Sequence, residues 1–397
     1  MADIEMPETK QARQSYLFML PWTLSSLGGV NQVVKNLYSQ MESTGQYNPI
    51  IMVNSWYDRE IRCENIGGTD HFHLRSRNPL VLNRSIINFL LFFYEFINFS
   101  YKFSRFLKTE NISVINFHYC SLTAMNVVLL KIFGVYRGKI FLSFHGKDLL
   151  DAVNSTKLES LLWRFVFHYV DNIITCSDSL KKDLIKFCSA TSKKAIVIHN
   201  GVDRRLFSSN QGKFPFLKRD IEKFILNVAT LEHKKGQDIL LHAFREIKDD
   251  FPDVSLVLIG RPGDGEQIIK ELIESLDLSQ RVFLFEGLSH EQVLAFMQKS
   301  VLFVLPSRYE PFGIVILEAG AFGKAVVASK VGGVCEILSD NETGKLYEVG
   351  NHMALAGALR EFLANSEECK RIGENLKNHV HKNFLWERTY SSYMNLT

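Results

Sequence analysis

The run Val301-Leu302-Phe303-Val304-Leu305 leads into Ser307-Arg308-Tyr309-Glu310-Pro311-Phe312-Gly313-Ile314-Val315-Ile316-Leu317-Glu318. An apolar β-like run, a short polar turn and a helical run in that order form the repeating unit of a parallel sheet. Pro311 suits the first position of a helix, so the amides of Phe312, Gly313 and Ile314 are expected in its first turn, where backbone donors lack intrahelical acceptors. Such a turn attracts oxygen-rich, anionic ligands. Glu310 is expected at the helix entrance and Glu318 about a turn and a half further in, two carboxylates able to grip hydroxyls at separate points of one extended ligand.

The same alternation extends outward in both directions. Apolar runs at Tyr16 to Leu20, Ile50 to Val53, Val114 to Phe117, Ile140 to Phe144, Ile173 to Cys176 and Ala195 to Ile198 are expected strands between helices. A second series follows at Phe224 to Val228, Leu256 to Ile259, Val282 to Phe285, Val301 to Leu305 and Ala325 to Ala328. Between them the polar, turn-rich stretch Ser208-Ser209-Asn210-Gln211-Gly212-Lys213-Phe214-Pro215 is read as the inter-domain connection. The fold class is therefore α/β, with two Rossmann-like doubly wound parallel-sheet domains expected to face a cleft, because open sheets bind ligands at the carboxyl ends of their strands. Residues 1–207 form the expected first domain, residues 208–380 the second, and residues 381–397 a terminal helix.

A chain of 397 residues with 46% hydrophobic content is long enough to bury two sizeable cores, which excludes a disordered or fibrous protein. Six scattered cysteines have no spacing of a disulfide framework or structural zinc site, and point to a reducing compartment. The acidic start Met-Ala-Asp-Ile-Glu-Met-Pro-Glu-Thr-Lys lacks an apolar core, so a loose tail rather than a cleaved secretion signal is expected. The expected location is the cytoplasm, with or without peripheral attachment at the inner face of the plasma membrane. Residues 1–205 carry 24 Lys and Arg against 17 Asp and Glu, whereas the remainder carries 22 against 26. This mild basic excess in the first half suits a phosphorylated acceptor or an anionic membrane surface as well as an ordinary solvated one. No nucleic-acid partner is expected.

The segment Glu310-Pro311-Phe312-Gly313-Ile314-Val315-Ile316-Leu317-Glu318, a glutamate pair separated by seven residues, closely resembles the signature of the retaining nucleotide-sugar glycosyltransferases of family 4 (group 1), which have the GT-B fold. The resemblance covers roughly residues 16–380. It implies that Glu310 lies at the donor sugar, where it stabilises charge growing at the anomeric centre, and that Glu318 holds the ribose hydroxyls. The backbone of Phe312, Gly313 and Ile314 would help to bind the donor. It also implies that the terminal helix crosses back to the first domain.

Further motifs fit the same family. Ser25-Ser26-Leu27-Gly28-Gly29-Val30 opens a helix after the first strand and matches the phosphate-facing loop, which makes Gly29 a donor contact. His145, in Phe144-His145-Gly146-Lys147-Asp148, matches a histidine facing the sugar and is assigned a catalytic role, while His118 at a comparable strand end is assigned to the acceptor side. Asn200-Gly201-Val202-Asp203 is read as a structural hinge. In Thr230-Leu231-Glu232-His233-Lys234-Lys235, Lys235 is the expected diphosphate cation. Thr230 stands where many relatives have arginine, so neutralisation is expected to be weaker or shared with Lys234 or Arg261. Gly260 closes a strand near the nucleotide, and residues 285–288 match the region that holds the base. No metal or other cofactor is expected, the nucleoside diphosphate sugar being a substrate.

The implied reaction moves a sugar with retention from a nucleoside diphosphate, UDP or GDP ahead of ADP, to a hydroxyl of a glycan or glycolipid, in surface polysaccharide or lipopolysaccharide assembly. Two alternatives stay open: a catalytically idle nucleotide-sugar-binding homologue serving as a partner subunit, and a GT-B nucleotide-sugar epimerase. Residues 84–108 stand apart. Arg84, Asn88, Glu95, Asn98, Lys102 and Arg105 fall on one narrow helical stripe and nearly everything else is Phe, Leu, Ile or Tyr. The segment is too interrupted for a bilayer span. Core packing is one reading; a lipid surface met by Phe92, Phe93 and Phe96, with Lys102, Arg105 and Lys108 at the headgroups, is the other.

Overall fold

Strands that read as nearly continuous apolar runs need cover on both faces, and a parallel sheet wrapped by helices supplies it. The computed structural model describes residues 13–25, 28–79, 86–208 and 222–397. It contains two such sheets. The first holds β1 (Ser15–Leu20), β2 (Asn48–Asn54), β3 (Arg62–Ile66), β4 (Thr69–Leu74), β5 (Ile112–His118), β6 (Lys139–Phe144), β7 (Asn172–Thr175) and β8 (Ala195–Val197), in the order β3-β4-β2-β1-β5-β6-β7-β8. Its described pairings are parallel except β3 with β4. The second holds β9 (Lys223–Val228), β10 (Val254–Ile259), β11 (Val282–Phe285), β12 (Leu302–Leu305), β13 (Ala325–Ser329) and β14 (Lys345–Tyr347), in the order β11-β10-β9-β12-β13-β14.

Each order reverses once. After β1 and β2 the chain returns to place β5 on the other side of β1, and after β11 it returns to place β12 beside β9. At such a switch the two neighbouring loops leave in opposite directions and open a crevice at the carboxyl ends of the strands. The loops after β1 and β5, and after β9 and β12, hold these places.

The chain divides into two compact units. Residues 1–175, 181–197 and 392–397 form the first, and residues 176–180 and 198–391 the second. The core of the second packs the helix Gln237–Ile247 and the helix His352–Ala364 on β9, β10, β12 and β13 through Leu240, Leu241, Phe244, Leu355, Leu359 and Phe362. In the first, Lys139 Nζ donates to the carbonyls of Leu396 and Thr397 at 2.7 and 2.8 Å.

All the apolar runs read as strands are strands. The structure adds β3, β4 and β14, which the pattern did not show, since β3 is an exposed edge and β14 is only three residues long. Of the expected connection from Ser208 to Pro215, all but Ser208 lies outside the described residues, as does the expected N-terminal tail.

The Phe-rich segment forms the helix Ile86–Thr109, and its faces differ from the expected ones; Arg84 lies outside the described residues. Phe92, Phe96, Phe99, Phe103 and Phe106 are buried, so Phe92 and Phe96 are core residues rather than lipid contacts. Two residues of the expected polar stripe, Glu95 and Lys102, are taken up by neighbouring chain. Glu95 lies 3.5 Å from Arg75, and Lys102 donates to the Arg59 carbonyl and pairs with Glu60, which removes Lys102 from the expected headgroup contacts. The open face is apolar, with Leu91, Phe93, Tyr94, Ile97 (66% exposed) and Tyr101 (71% exposed), and the exposed Arg105 and Lys108 lie toward its end. Among the described residues no helix is long and apolar enough to cross a membrane.

Candidate active site

In the second unit the loops flanking the switch point are bound to each other. After β9 the chain runs through Lys235 into the helix Gln237–Ile247, and after β12 it runs through Glu310. Lys235 Nζ donates to Glu310 Oε2 at 2.8 Å, and Ser307 Oγ donates to the same oxygen at 3.3 Å. The principal expected cation and the expected sugar-facing carboxylate thus form one ion pair, with the glutamate nearly buried. Arg308, for which the sequence suggested no role, ties the loops together. Its guanidinium makes a two-pronged bond to Asp238 at 2.7 and 2.6 Å, and its amide donates to the Lys234 carbonyl at 2.8 Å. Burial alone would raise the Asp238 carboxyl, but the Arg308 fork holds it below the usual range.

The helix after Glu310 begins at Ile314, not at Pro311 as expected. Gly313 precedes it with φ +101°, a left-handed backbone that cannot continue a right-handed helix from Pro311. Phe312 and Gly313 are therefore loop residues, and only Ile314 of the three expected first-turn residues is helical. The loop is shaped from behind by Gly332 and Gly333. A Cβ on Gly332 (φ +50°) would lie 2.1 Å from the Glu310 carbonyl oxygen, which accepts the Gly333 amide at 3.1 Å.

Glu318, on the second turn of this helix, is buried, and His290 Nε2 lies 3.6 Å from its Oε1. His290 opens the helix His290–Lys299, whose start is fixed by a reciprocal cap between Ser289 and Gln292. This places the loop expected to hold the base beside the carboxylate expected to hold the ribose. Gly260 is in close approach to backbone: a Cβ there would lie 2.1 Å from the Ala229 carbonyl. Thr230 brings no charge, and its carbonyl accepts Gln237 Nε2 at 3.0 Å. Of the two cations expected to share the phosphate, Lys234 is held 2.5 Å from Glu232 and Arg261 is exposed.

His199, next to the Asn-Gly-Val-Asp turn, is a supporting residue that the sequence did not reveal. Its ring lies parallel to that of Phe312, centroids 5.4 Å apart, and its Nε2 bonds Glu336 at 2.9 Å. Glu336 also accepts the amides of Asp178 and Ser179 at 2.8 and 3.0 Å. Burial would raise its carboxyl, but these bonds hold it below the usual range. Asp178, His199 and Glu336 are the group of potential metal ligands found among the described residues, all from distant parts of the sequence. Within this group Glu336 is already bonded to the His199 ring and to the Asp178 amide.

In the first unit Gly29 opens the helix Gly29–Thr44 directly after β1, as expected, while Ser26 and Leu27 lie outside the described residues. His145, after β6, is partly exposed. The carboxylate of Asp148 accepts the amides of Cys120, His145, Gly146 and Leu149 at 2.8 to 3.1 Å and so fixes the main chain at His145. Burial nevertheless pushes this carboxyl up to about 6. His118 has a different place from the acceptor-side one expected. It is fully buried, with Nε2 3.0 Å from Asn116 Nδ2 and Nδ1 3.0 Å from His145 Nε2, so no ring nitrogen is left for a ligand.

The sequence pattern described as glycosyl transferases group 1 matches residues 209–379, and that described as glycosyltransferase family 4 matches residues 27–206. An uncharacterized glycosyltransferase of Methanocaldococcus jannaschii is 33% identical over 300 residues, 73% of this chain and 76% of that protein. The chain belongs to the group 1 glycosyltransferases. This glycosyltransferase is also 28% identical over 297 residues to the N-acetyl-α-D-glucosaminyl L-malate synthase of Bacillus anthracis, covering 74% of this chain and 76% of that one. The crystal structure of Anabaena HepE in complex with UDP resembles it with a TM-score of 0.75 at 18% identity, over 96% of this chain and 99% of that one. At that identity the likeness speaks for the fold, and the two doubly wound units are those of GT-B.

Proposed function

We propose that this glycosyltransferase is a retaining hexosyltransferase that takes its sugar from a nucleoside diphosphate sugar, UDP or GDP ahead of ADP, and transfers it to a hydroxyl of a glycan or glycolipid. The observation that carries the reading is the Lys235–Glu310 pair at the switch point of the second sheet, with Glu318 buried on the helix that follows. In this reaction the bond from the anomeric carbon to the diphosphate oxygen breaks, the acceptor oxygen bonds the same face, and the acceptor proton passes to the departing phosphate. Lys235, in place of a bound cation, meets the growing charge on the diphosphate, and Glu310 meets the opposite charge on the sugar. Glu318 anchors the ribose, backbone of Phe312, Gly313, Ile314 and Gly260 approaches the nucleotide, and Gly29 and His145 keep the donor contacts that the resemblance gives them. The binding of UDP by Anabaena HepE supports a nucleotide donor.

Calorimetric titration with UDP, GDP, ADP and their common sugar conjugates tests this. One nucleotide is expected to bind saturably, and Glu318→Ala is expected to weaken it on the order of 10- to 100-fold through loss of charge-assisted bonds to two hydroxyls. Binding by none of them would overturn the nucleotide-sugar reading, and binding without any transfer would favour the idle homologue. The anomeric configuration of the product, read by NMR, tests retention.

We further propose that the apolar face of the helix Ile86–Thr109 contacts a lipid surface or a lipid-linked acceptor, at the inner face of the plasma membrane. The exposed Phe93, Tyr94, Ile97 and Tyr101 supply the apolar contact, and Arg105 and Lys108 the attraction to anionic headgroups. A setting in surface polysaccharide or lipopolysaccharide assembly follows from such an acceptor. Ile97→Ser with Tyr101→Ser should release the folded protein from anionic liposomes, because both side chains already face solvent; retention on liposomes would sink the idea.

A further inference from the structure

A chain of buried polar groups in the first unit orders protons from β5 to His145. Asn116 on β5 and Ser143 on the neighbouring β6, where Ser143 pairs with His118, are both buried, and Ser143 Oγ lies 2.9 Å from Asn116 Oδ1. The Ser143 hydroxyl also meets Tyr393 Oη at 3.2 Å and can donate or accept, so the direction of the amide belongs to the proposal tested below. Asn116 Nδ2 then donates to Tyr16 Oη at 2.9 Å and faces His118 Nε2 at 3.0 Å. An amide nitrogen only donates, so Nε2 of His118 is the bare nitrogen and its proton sits on Nδ1. Nδ1 is 3.0 Å from His145 Nε2. The ring planes are 24° apart with centroids separated by 5.2 Å, so the two imidazoles meet nearly edge to edge, the geometry of an N–H···N bond rather than a stack.

We propose that Asn116 and His118 are positioning residues that hold His145 as its Nδ1–H tautomer, so that it offers a ligand oxygen a hydrogen-bond donor and no base. The ligand class is a hydroxyl or phosphoryl oxygen, and this use rests on reading His145 as donor-facing. Nδ1 of His145 has no hydrogen-bond partner among the described residues. Burial keeps both rings neutral: it holds His118 well below the usual histidine range, with the nearby His145 adding to the effect, and holds His145 down at about 4. A neutral His145 that donates from Nδ1 fits a reaction in which the acceptor proton goes to the leaving phosphate.

The tautomer is read directly in a long-range proton–nitrogen NMR spectrum of the full-length, 15N-histidine-labelled protein near neutral pH, with His145→Gln and His118→Gln used to assign the signals. The expected spectrum has a protonated Nδ1 and a bare Nε2 on both residues. A protonated Nε2 on His145, which a reversed Asn116 amide would impose, overturns the proposal, and so does averaging between tautomers. Asn116→Asp supplies the converse test. A carboxylate can only accept, so His118 must donate from Nε2, and the proton of His145 should move from Nδ1 to Nε2. An unchanged His145 beside a neutral His118 in a folded Asn116→Asp protein, the charge of His118 being read in the same spectrum, would show that the order does not start at residue 116; if that variant does not fold or holds His118 charged, the wild-type spectrum decides. None of these spectra needs a donor, so failure of sugar transfer and failure of the tautomer are separate results.

Discussion

Glu310→Ala is expected to abolish sugar transfer while leaving nucleotide affinity close to that of the wild type. The carboxylate that disappears is the group proposed to face the growing positive charge at the anomeric centre, an interaction that strengthens only as the donor bond breaks. Loss of one such electrostatic contact costs on the order of 10²- to 10³-fold in kcat. Nucleotide affinity should survive, since Glu318 and the loop after β11 lie elsewhere on the sheet edge and Lys235 is freed for phosphate once its 2.8 Å bond to Glu310 is gone. Folding should suffer mildly. Lys235 keeps some access to water, so its lost partner costs about 1 kcal/mol rather than the full penalty of a stranded buried charge. Glu310→Gln retains the volume but not the charge, and should lose turnover to a similar degree. Steady-state kinetics beside calorimetric nucleotide binding separates the outcomes: turnover within about tenfold of wild type would remove Glu310 from the reacting centre, and a large loss of nucleotide affinity would exchange its role with that of Glu318.

The fold was readable because buried parallel strands carry an apolar run that survives without context, as β9, β10 and β12 show. The edge hairpin β3–β4 was not, because Arg62-Cys63-Glu64-Asn65-Ile66 faces water and owes its strand to pairing with β4 alone. At the site, the resemblance singled out Glu310, Glu318 and Lys235, which lie on the loop after β12, on the helix Ile314–Ala321 and on the loop after β9. It could not reveal Arg308–Asp238, His199–Glu336 or His118–His145, whose partners are 70, 137 and 27 residues apart and meet only through the sheet. The helix Ile86–Thr109 shows a subtler failure. Its period was legible, yet two of its polar residues do not face open water, because Glu95 and Lys102 are taken up by Arg75 and the 59–60 segment. The apolar residues opposite the core are thereby left outside.

Gly332→Ala is expected to damage the site as severely as a change at Glu310 itself, although residue 332 is not assigned any ligand. Two penalties add. An alanine at φ +50° is in the left-handed region, at about 1 kcal/mol, and its Cβ would lie 2.1 Å from the carbonyl oxygen of Glu310. The second contact cannot be relieved by a side-chain rotation, because both atoms belong to or are fixed by backbone. Nor can residue 310 easily retreat: Arg308 is pinned to Lys234 and Asp238 on one side, and Phe312 lies against His199 and Phe384 on the other. The expected cost is about 2–4 kcal/mol, or roughly 5–15 °C in the melting of the second unit, together with loss of transfer because the Glu310 carboxylate moves away from Lys235. Gly350→Ala provides the comparison. Gly350 is also left-handed, at φ +83°, but a Cβ there meets no atom within 4 Å, so it should pay only the backbone penalty and keep full activity. If the two variants melt alike and both transfer sugar, the Gly332 turn does not hold Glu310 in place; if only Gly332→Ala loses turnover, the position of this carboxylate is set from a loop more than twenty residues beyond it.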